Sequence, residues 1–388
     1  MLKNIRWFFF PINLFVIIAC GAIPPDTTLL SNVEISIVRD ERMEGKLIGS
    51  EEDRWRAEVL NNGIGVNIDN IEFLDGFQVV GSGEDNKIYR THDGLKKWRR
   101  QDLNIPADWY ISSLSFIDDN GIVSVINRSS DILNIEEIRS KILFTSDAGK
   151  TWNEELSITQ AEISRVVASY GFKFWAAGRR FPRAENVGYP ALLFSRSPAG
   201  TWTEIPFLRD NRRIDNVGIG QNRDLIVVAE EGTVLSLDEK GHWDTKGSIA
   251  PLRQPQIGIS TIGTSANGAM YLMGATGGRE GAWTSLFMKS SKGNVWREIF
   301  LNDVILRDAV FLDGGEIFAT GSLFESGSEN RVFSHGVLLH SIDGGLKWHL
   351  SLRSKEIESF VSVSIRPNKE ILLIGEMGEI LKLKIKSL

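Results

Sequence analysis

The sequence predicts an all-β chain folded as a single seven-bladed β-propeller, and three observations lead there. Six tryptophans, Trp98, Trp152, Trp202, Trp243, Trp296 and Trp348, recur at intervals of 54, 50, 41, 53 and 52 residues. Each follows a short polar turn, and three apolar alternating runs precede each turn, so one repeat holds four strands. The 37 glycines and 11 tryptophans among 388 residues suit many tight turns between short aromatic-bearing strands.

The amino terminus stands outside that repeat. Lys3 and Arg6 precede the apolar run WFFFPINLFVIIA, which ends at Cys20, the single cysteine of the chain. Positive residues followed by an apolar stretch too short to span a bilayer read as an export signal. Val16-Ile17-Ile18-Ala19-Cys20 resembles the bacterial lipobox. That resemblance implies a signal peptide over residues 1–19, acylation of Cys20 as the mature N-terminus and, with Gly21 following, sorting to the outer membrane on its periplasmic or surface side. Residues 20–50, with Pro24, Pro25 and several Thr and Ser, read as a lipid-anchored tether and lead-in to a propeller over residues 51–388. With Cys20 acylated no internal disulfide is left, so packing must hold the fold.

The six turns superpose in one eight-residue frame: THDGLKKW, TSDAGKTW, SRSPAGTW, SLDEKGHW, KSSKGNVW and SIDGGLKW. A short Asp side chain accepts hydrogen bonds from the amides of its own turn, Ser or Thr supports it, and Gly takes the positive φ a hairpin requires. Asp93, Asp147, Asp238 and Asp343 hold the acid position, Gly149 and Gly345 the glycine position. Ser197 and Ser291 replace the acid, and Leu95 and Lys240 the glycine. The frame resembles the Asp-box, or BNR repeat, whose role in the families that carry it is structural.

Six blades follow from the turns, over residues 64–103, 112–156, 163–207, 213–247, 257–301 and 306–352. SFVSVSI, EILLIGEMG and EILKLKI then supply three further strands without a fourth, while DRWRAEVL (Asp53 to Leu60) is a Trp strand with no inner strands before it. Pairing the two removes exposed edges and closes a seventh blade. Eight blades would result if NVEISIV (Asn32 to Val38) belonged to another sheet.

In such a ring the connections from outer to next inner strand, and those between second and third strands, gather on one face. Three of the latter are long, at residues 126–141, 178–190 and 322–336, and long loops on a rigid scaffold commonly bind something. Trp109, Tyr110, Arg165, Arg179, Arg180, Arg183, Arg213 and Arg307 are expected to form a basic, aromatic rim there, Arg and aromatic residues being frequent interface anchors.

Chemistry has weaker support. A formal net charge of −6 gives no footprint for nucleic acid. His92, His242, His340 and His349 lie in or beside the turns and His335 in a loop, without metal-ligand spacing, so no metal or cofactor is expected. Asp-box sialidases offer an alternative, a glycoside hydrolase acting on a carbohydrate in the central channel, yet the Arg-Ile-Pro motif is missing and GYPALL (Gly188 to Leu193) is its nearest text. Over roughly residues 55–388, blade patterns such as IEFLDGFQVVGSGEDNKIYRTHDGLKKW resemble the photosystem II stability and assembly factor group of propellers. That resemblance implies an assembly scaffold rather than an enzyme, and the chain is expected to be a monomer that binds a protein or envelope component.

Overall fold

The computed structural model describes residues 42–385, apart from 45, 51–53, 75–77, 93–94, 107, 128–134, 170, 172, 182–188, 207–212, 230–231, 239, 250–257, 266, 279–280, 292, 294, 327–331 and 367–369. Seven sheets, each built on four antiparallel strands, follow one another along the chain. Their inner strands are Ile68–Phe73, Trp109–Ile117, Ala161–Ser169, Ile214–Ile219, Gly258–Thr264, Val304–Phe311 and Phe360–Ile365, defining blades one to seven. Among the described residues there is no α-helix.

Second strands are enclosed on both faces, which explains their unbroken apolar runs. Leu225–Ala229 and Ile371–Gly375 are buried at every position. The core is divided among the seams between blades. Ile226, Phe287 and Trp296 meet between blades four and five, Leu286, Leu339 and Trp348 between five and six, and Val79, Leu372 and Ile380 between seven and one.

Blade seven is a composite of the two ends of the ring. Trp55–Asn62 pairs antiparallel with Glu379–Ile385, from Trp55 opposite Ile385 to Asn62 opposite Glu379. The ring therefore has seven blades; Asn32 to Val38 lies outside the described residues.

The lead-in is shorter than the sequence suggested. Arg42–Glu44 adds a parallel fifth strand to blade five beside Trp296–Asn302, and Lys46–Ser50 does the same for blade six beside Lys347–Arg353. Arg42–Glu44 and Lys46–Ser50 thus belong to the sheets. They carry too few alternating apolar residues to read as strands, and open edges of preformed blades order them. Leu47 borders a cavity of about 310 Å³ also lined by Val304, Phe324 and Trp348.

The repeated turns are hydrogen-bonded alike. In blade two, Asp147 Oδ1 accepts from the Thr145 hydroxyl (2.8 Å) and the Thr151 amide (2.9 Å), and Gly149 N donates to Thr145 Oγ1 (2.9 Å). In blade six, Asp343 Oδ1 accepts from Ser341 Oγ (3.0 Å) and Lys347 N (2.8 Å), with Gly345 N donating to Ser341 Oγ (2.9 Å). Gly345 has φ +93°, and a Cβ there would come within 2.7 Å of Leu286. Asp93 lies outside the described residues.

The tryptophan contacts divide by turn type. Where both the acid and the glycine hold their places, the indole donates to that glycine's carbonyl, Trp152 to Gly149 (3.1 Å) and Trp348 to Gly345 (2.6 Å). Three others reach the preceding blade: Trp98 donates to Gly378 O (2.8 Å), Trp202 to Glu155 Oε2 (3.0 Å) and Trp296 to Lys246 O (2.9 Å). In blade three, whose turn has Ser197 for the acid, Arg196 binds Glu155 through two nitrogens at 2.6 and 2.7 Å and lies over Phe144.

Partial burial pushes the Asp147 carboxyl up, but donors from Thr151 and Thr145 outweigh it and hold the group at about 2. Its contribution to stability is present above the ordinary value of 3.8 and is lost as pH falls through about 2. Asp147→Ala is expected to cost about 1–2 kcal/mol in denaturant unfolding at neutral pH. Asp147→Asn should flatten the acid limb of the stability profile.

Candidate docking face and channel

All seven inner strands carry a bulge at the same level. The register shifts between Ile68 and Asn70, Ile111 and Ser113, Ile163 and Arg165, Ile214 and Asn216, Ile259 and Thr261, Leu306 and Asp308, and Phe360 and Ser362. A bulge re-aims side chains and bends its strand. Each lies near the strand entrance, opposite the end of the second strand. Polar side chains at this level consequently face the lumen and the next blade.

These side chains join the blades. Ser112 Oγ donates to Ile163 O (2.8 Å), and Ser113 Oγ accepts from Val166 N (3.1 Å). Asp215 Oδ2 accepts from Ile259 N (3.0 Å), while Asn216 Nδ2 donates to Ile259 O (2.9 Å) and Ser260 O (3.0 Å). Thr261 Oγ1 donates to Arg307 O (3.2 Å). Asp308 Oδ2 accepts from Ser362 Oγ (2.8 Å) and Val363 N (3.0 Å).

The expected rim residues separate into groups. Arg165 follows the bulge of blade three, and one of its guanidinium nitrogens donates to Ser164 O (3.2 Å). Burial lowers its pKa and the charge of Asp215 opposes that change. Arg213 is half-buried nearby; burial lowers its pKa, Arg179 lowers it further, and Asp215, Glu162 and Tyr189 act the other way. Arg179 is held by Glu162 (Nη2 at 2.6 Å, Nε at 2.8 Å) and lies over the rings of Phe181 (5.0 Å) and Tyr189 (5.7 Å). Arg165, Arg179 and Arg213 therefore share one patch on blades three and four.

Arg307 turns elsewhere. Its Nε donates to Ser359 Oγ (3.0 Å), and burial lowers its pKa against the charge of Glu376. It belongs to the seam of blades six and seven. Arg180 is half-buried and pairs with Glu204 (3.2 Å), and Arg183 lies outside the described residues.

Trp109 corrects the expected rim. The inner strand of blade two begins at Trp109 rather than at residue 112, and Trp109 is 7% exposed, packed with Leu103, Ile111 and Val125. Strand alternation turns its ring into the seam of blades one and two, so it is a core residue and no surface anchor. Tyr110, on the opposite side of that strand, is half-buried.

The acids of the lumen were missed in the sequence: Glu162, Asp215, Glu376, and above all Glu72 and Asp308. Burial pushes Glu72 up to about 8, the charge of Asp308 adds to this, and a hydrogen bond with Ser115 opposes it. Burial also raises Asp308, against bonds from Val363, Ser362 and Ala309. Superposing the inner strands, as was done for the turns, aligns Asn70, Ser113, Arg165, Asn216, Thr261, Asp308 and Ser362 and would have marked this polar level. Among the described residues, no group of three or more His, Cys, Asp or Glu could hold a metal ion.

No family model matches the sequence, and no curated protein matches it. Solved structures share its fold. YCF48 bound to D1 peptide is similar with a TM-score of 0.58 and 15% identity, over 88% of this chain and 100% of that one. YCF48 from Cyanidioschyzon merolae gives 0.52 and 15%, over 84% and 98%. A catalytically inactive virginiamycin B lyase from Staphylococcus aureus with quinupristin gives 0.53 and 13%, over 86% and 100%. Binding proteins and lyases alike are built on this ring, so the likeness establishes the propeller and leaves function to the site.

Asn216→Ala would deprive the carbonyls of Ile259 and Ser260 of their donor in a buried seam. The expected loss is about 1–3 kcal/mol in urea unfolding, and Asn216→Asp, which lacks the amide donor, should not restore it.

Proposed function

We propose that the protein is an exported lipoprotein, acylated at Cys20, that serves as a non-catalytic scaffold and binds a protein or another envelope component on the loop face of its propeller. One observation carries this reading: the patch of Arg165, Arg179 and Arg213 with the half-buried ring of Tyr189 on blades three and four. Glu162 binds Arg179, and the charge of Asp215 acts on Arg165 and Arg213. Arginines beside an aromatic ring suit a partner that brings acidic or carboxylate groups, since Arg and aromatic side chains are enriched among interface hot spots.

The fold lends further support, because a propeller of similar architecture, YCF48, has been solved bound to D1 peptide. The six turns are in this reading Asp-boxes that stabilise the ring from the opposite face. Acylation at Cys20 holds the propeller, as a monomer, at the cell envelope, with the outer membrane as its place in a cell that has one.

Crosslinking in intact envelopes should capture a partner. Arg213→Ala is expected to weaken that partner's binding about tenfold or more while shifting the melting temperature little. Unchanged affinity in Arg213→Ala, or turnover of a glycoside panel by the wild type, would overturn the scaffold reading in favour of another face or a hydrolase. Cys20→Ala is expected to abolish lipid labelling and release the protein from the membrane fraction; unchanged labelling would end the lipoprotein reading.

A further inference from the structure

Exposed apolar side chains gather on one edge of the ring. Of the five large hydrophobic residues exposed among the described residues, Leu47, Val295 and Ile342 lie on blades five and six. Val295 directly precedes Trp296 at the turn of blade five, and Ile342, 65% exposed, follows Ser341 in the turn of blade six. Both turns join third to fourth strands, so they leave the sheets at the end opposite the second-to-third connections. Leu47 stands on the added strand of blade six beside Trp348, one position beyond the start of the strand that follows the same turn. Single exposed apolar residues are ordinary, whereas a group of them marks a contact surface.

Cations stand at the same edge. Lys46 and Lys347 are neighbours in register and both are exposed. Asp343, the acid of that turn, is engaged within it, its Oδ1 accepting from Ser341 Oγ (3.0 Å) and Lys347 N (2.8 Å). The chain also enters the ring here. Arg42–Glu44 runs parallel to Trp296–Asn302, and Lys46–Ser50 parallel to Lys347–Arg353, so both added strands start toward the turn end of their blades. Arg42, the first described residue, is thus on the side that carries Val295 and Ile342.

We propose, resting on the lipoprotein reading above, that the turn edge of blades five and six is a membrane-contact surface for anionic lipid. Ile342, Val295 and Leu47 enter the headgroup layer, and Lys46 and Lys347 meet its phosphates. Apolar burial and attraction of lysines to an anionic surface add in the same direction, and a phosphate between two neighbouring ammonium groups relieves their repulsion. A lipid anchor keeps this edge at a high local concentration beside the bilayer, so contacts that are weak singly suffice to orient the ring. The loop face, with Arg165 and Arg213, is then turned away from the membrane and open to a partner.

The test uses the full chain in vesicles of phosphatidylcholine with and without phosphatidylglycerol. With phosphatidylglycerol present, a nitroxide on Ile342→Cys is expected to be relaxed more by oxygen, which concentrates in lipid, than by a water-soluble nickel chelate. One on Met377→Cys, an exposed residue in the second-to-third connection of blade seven, should show the reverse. Lys46→Glu combined with Lys347→Glu should lower the lipid preference of the Ile342 label about tenfold or more, as should omission of phosphatidylglycerol. Cys20 is the single native cysteine, so label taken up by the wild type reports unacylated chain and tests the anchor separately; the contrast between Ile342 and Met377 decides the face whatever that result. An Ile342 label facing water, equal environments at the two positions, indifference to charge reversal, or shielding of Ile342 from both reagents in intact envelopes, as a covering protein would give, would overturn the proposal.

Discussion

Every blade in this ring is stabilised by its neighbours, so the pairing of Trp55–Asn62 with Glu379–Ile385 is the contact on which the other seams depend. A four-stranded sheet cannot bury its two faces alone, and the apolar clusters lie between blades rather than within them. Without the closing pair, blade seven would lack its outer strand and Trp55 would leave its contact with Phe318. Blades six and one would then each face an unfinished surface. Closure therefore converts a row of marginal sheets into one cooperative unit, at the junction of the two chain ends.

The inner bulges do a second job at the other radius. A straight strand would point alternate side chains into the neighbouring sheet, but the inserted residue in each blade turns Ser112, Asp215 or Arg307 toward the next blade or the lumen. The same device that ties blades together thus lines the channel with polar groups. Arg165 and Glu72 are consequently deeply enclosed yet still reach the lumen, and burial acts on both: it lowers the arginine and raises the glutamate. Structural and functional demands meet in this layer, where a side chain can brace a seam and set the charge of the channel at once.

The turns on the opposite face show how much variation a local motif tolerates. Asp147 and Asp343 bind their own turns almost identically. In blade three, where Ser197 stands in the acid's place, Arg196 and Trp202 both engage Glu155 of blade two. Ser197 Oγ keeps the bond from the Thr201 amide (3.2 Å), and bonds across the seam join it. A group that can be exchanged in this way serves architecture, and the lumen and loop face carry the chemistry that differs from blade to blade.

The amino-acid sequence by itself determined the all-β class, the repeat, the number of blades and the closing strand, because strand alternation, turn chemistry and the tryptophan period are encoded within a few residues of one another. TSDAGKTW and SIDGGLKW state their hydrogen bonding almost completely. Only the tertiary structure decided which arginines meet, since Arg165, Arg179 and Arg213 are drawn together across blades while Arg307 is turned toward Ser359. It also sent Trp109 into a seam and drew Arg42–Glu44 and Lys46–Ser50 onto the edges of blades five and six. The enclosure of Glu72 and Asp308 belongs to the same class. It depends on ring curvature and on burial, quantities that arise only once the two ends of the chain are joined.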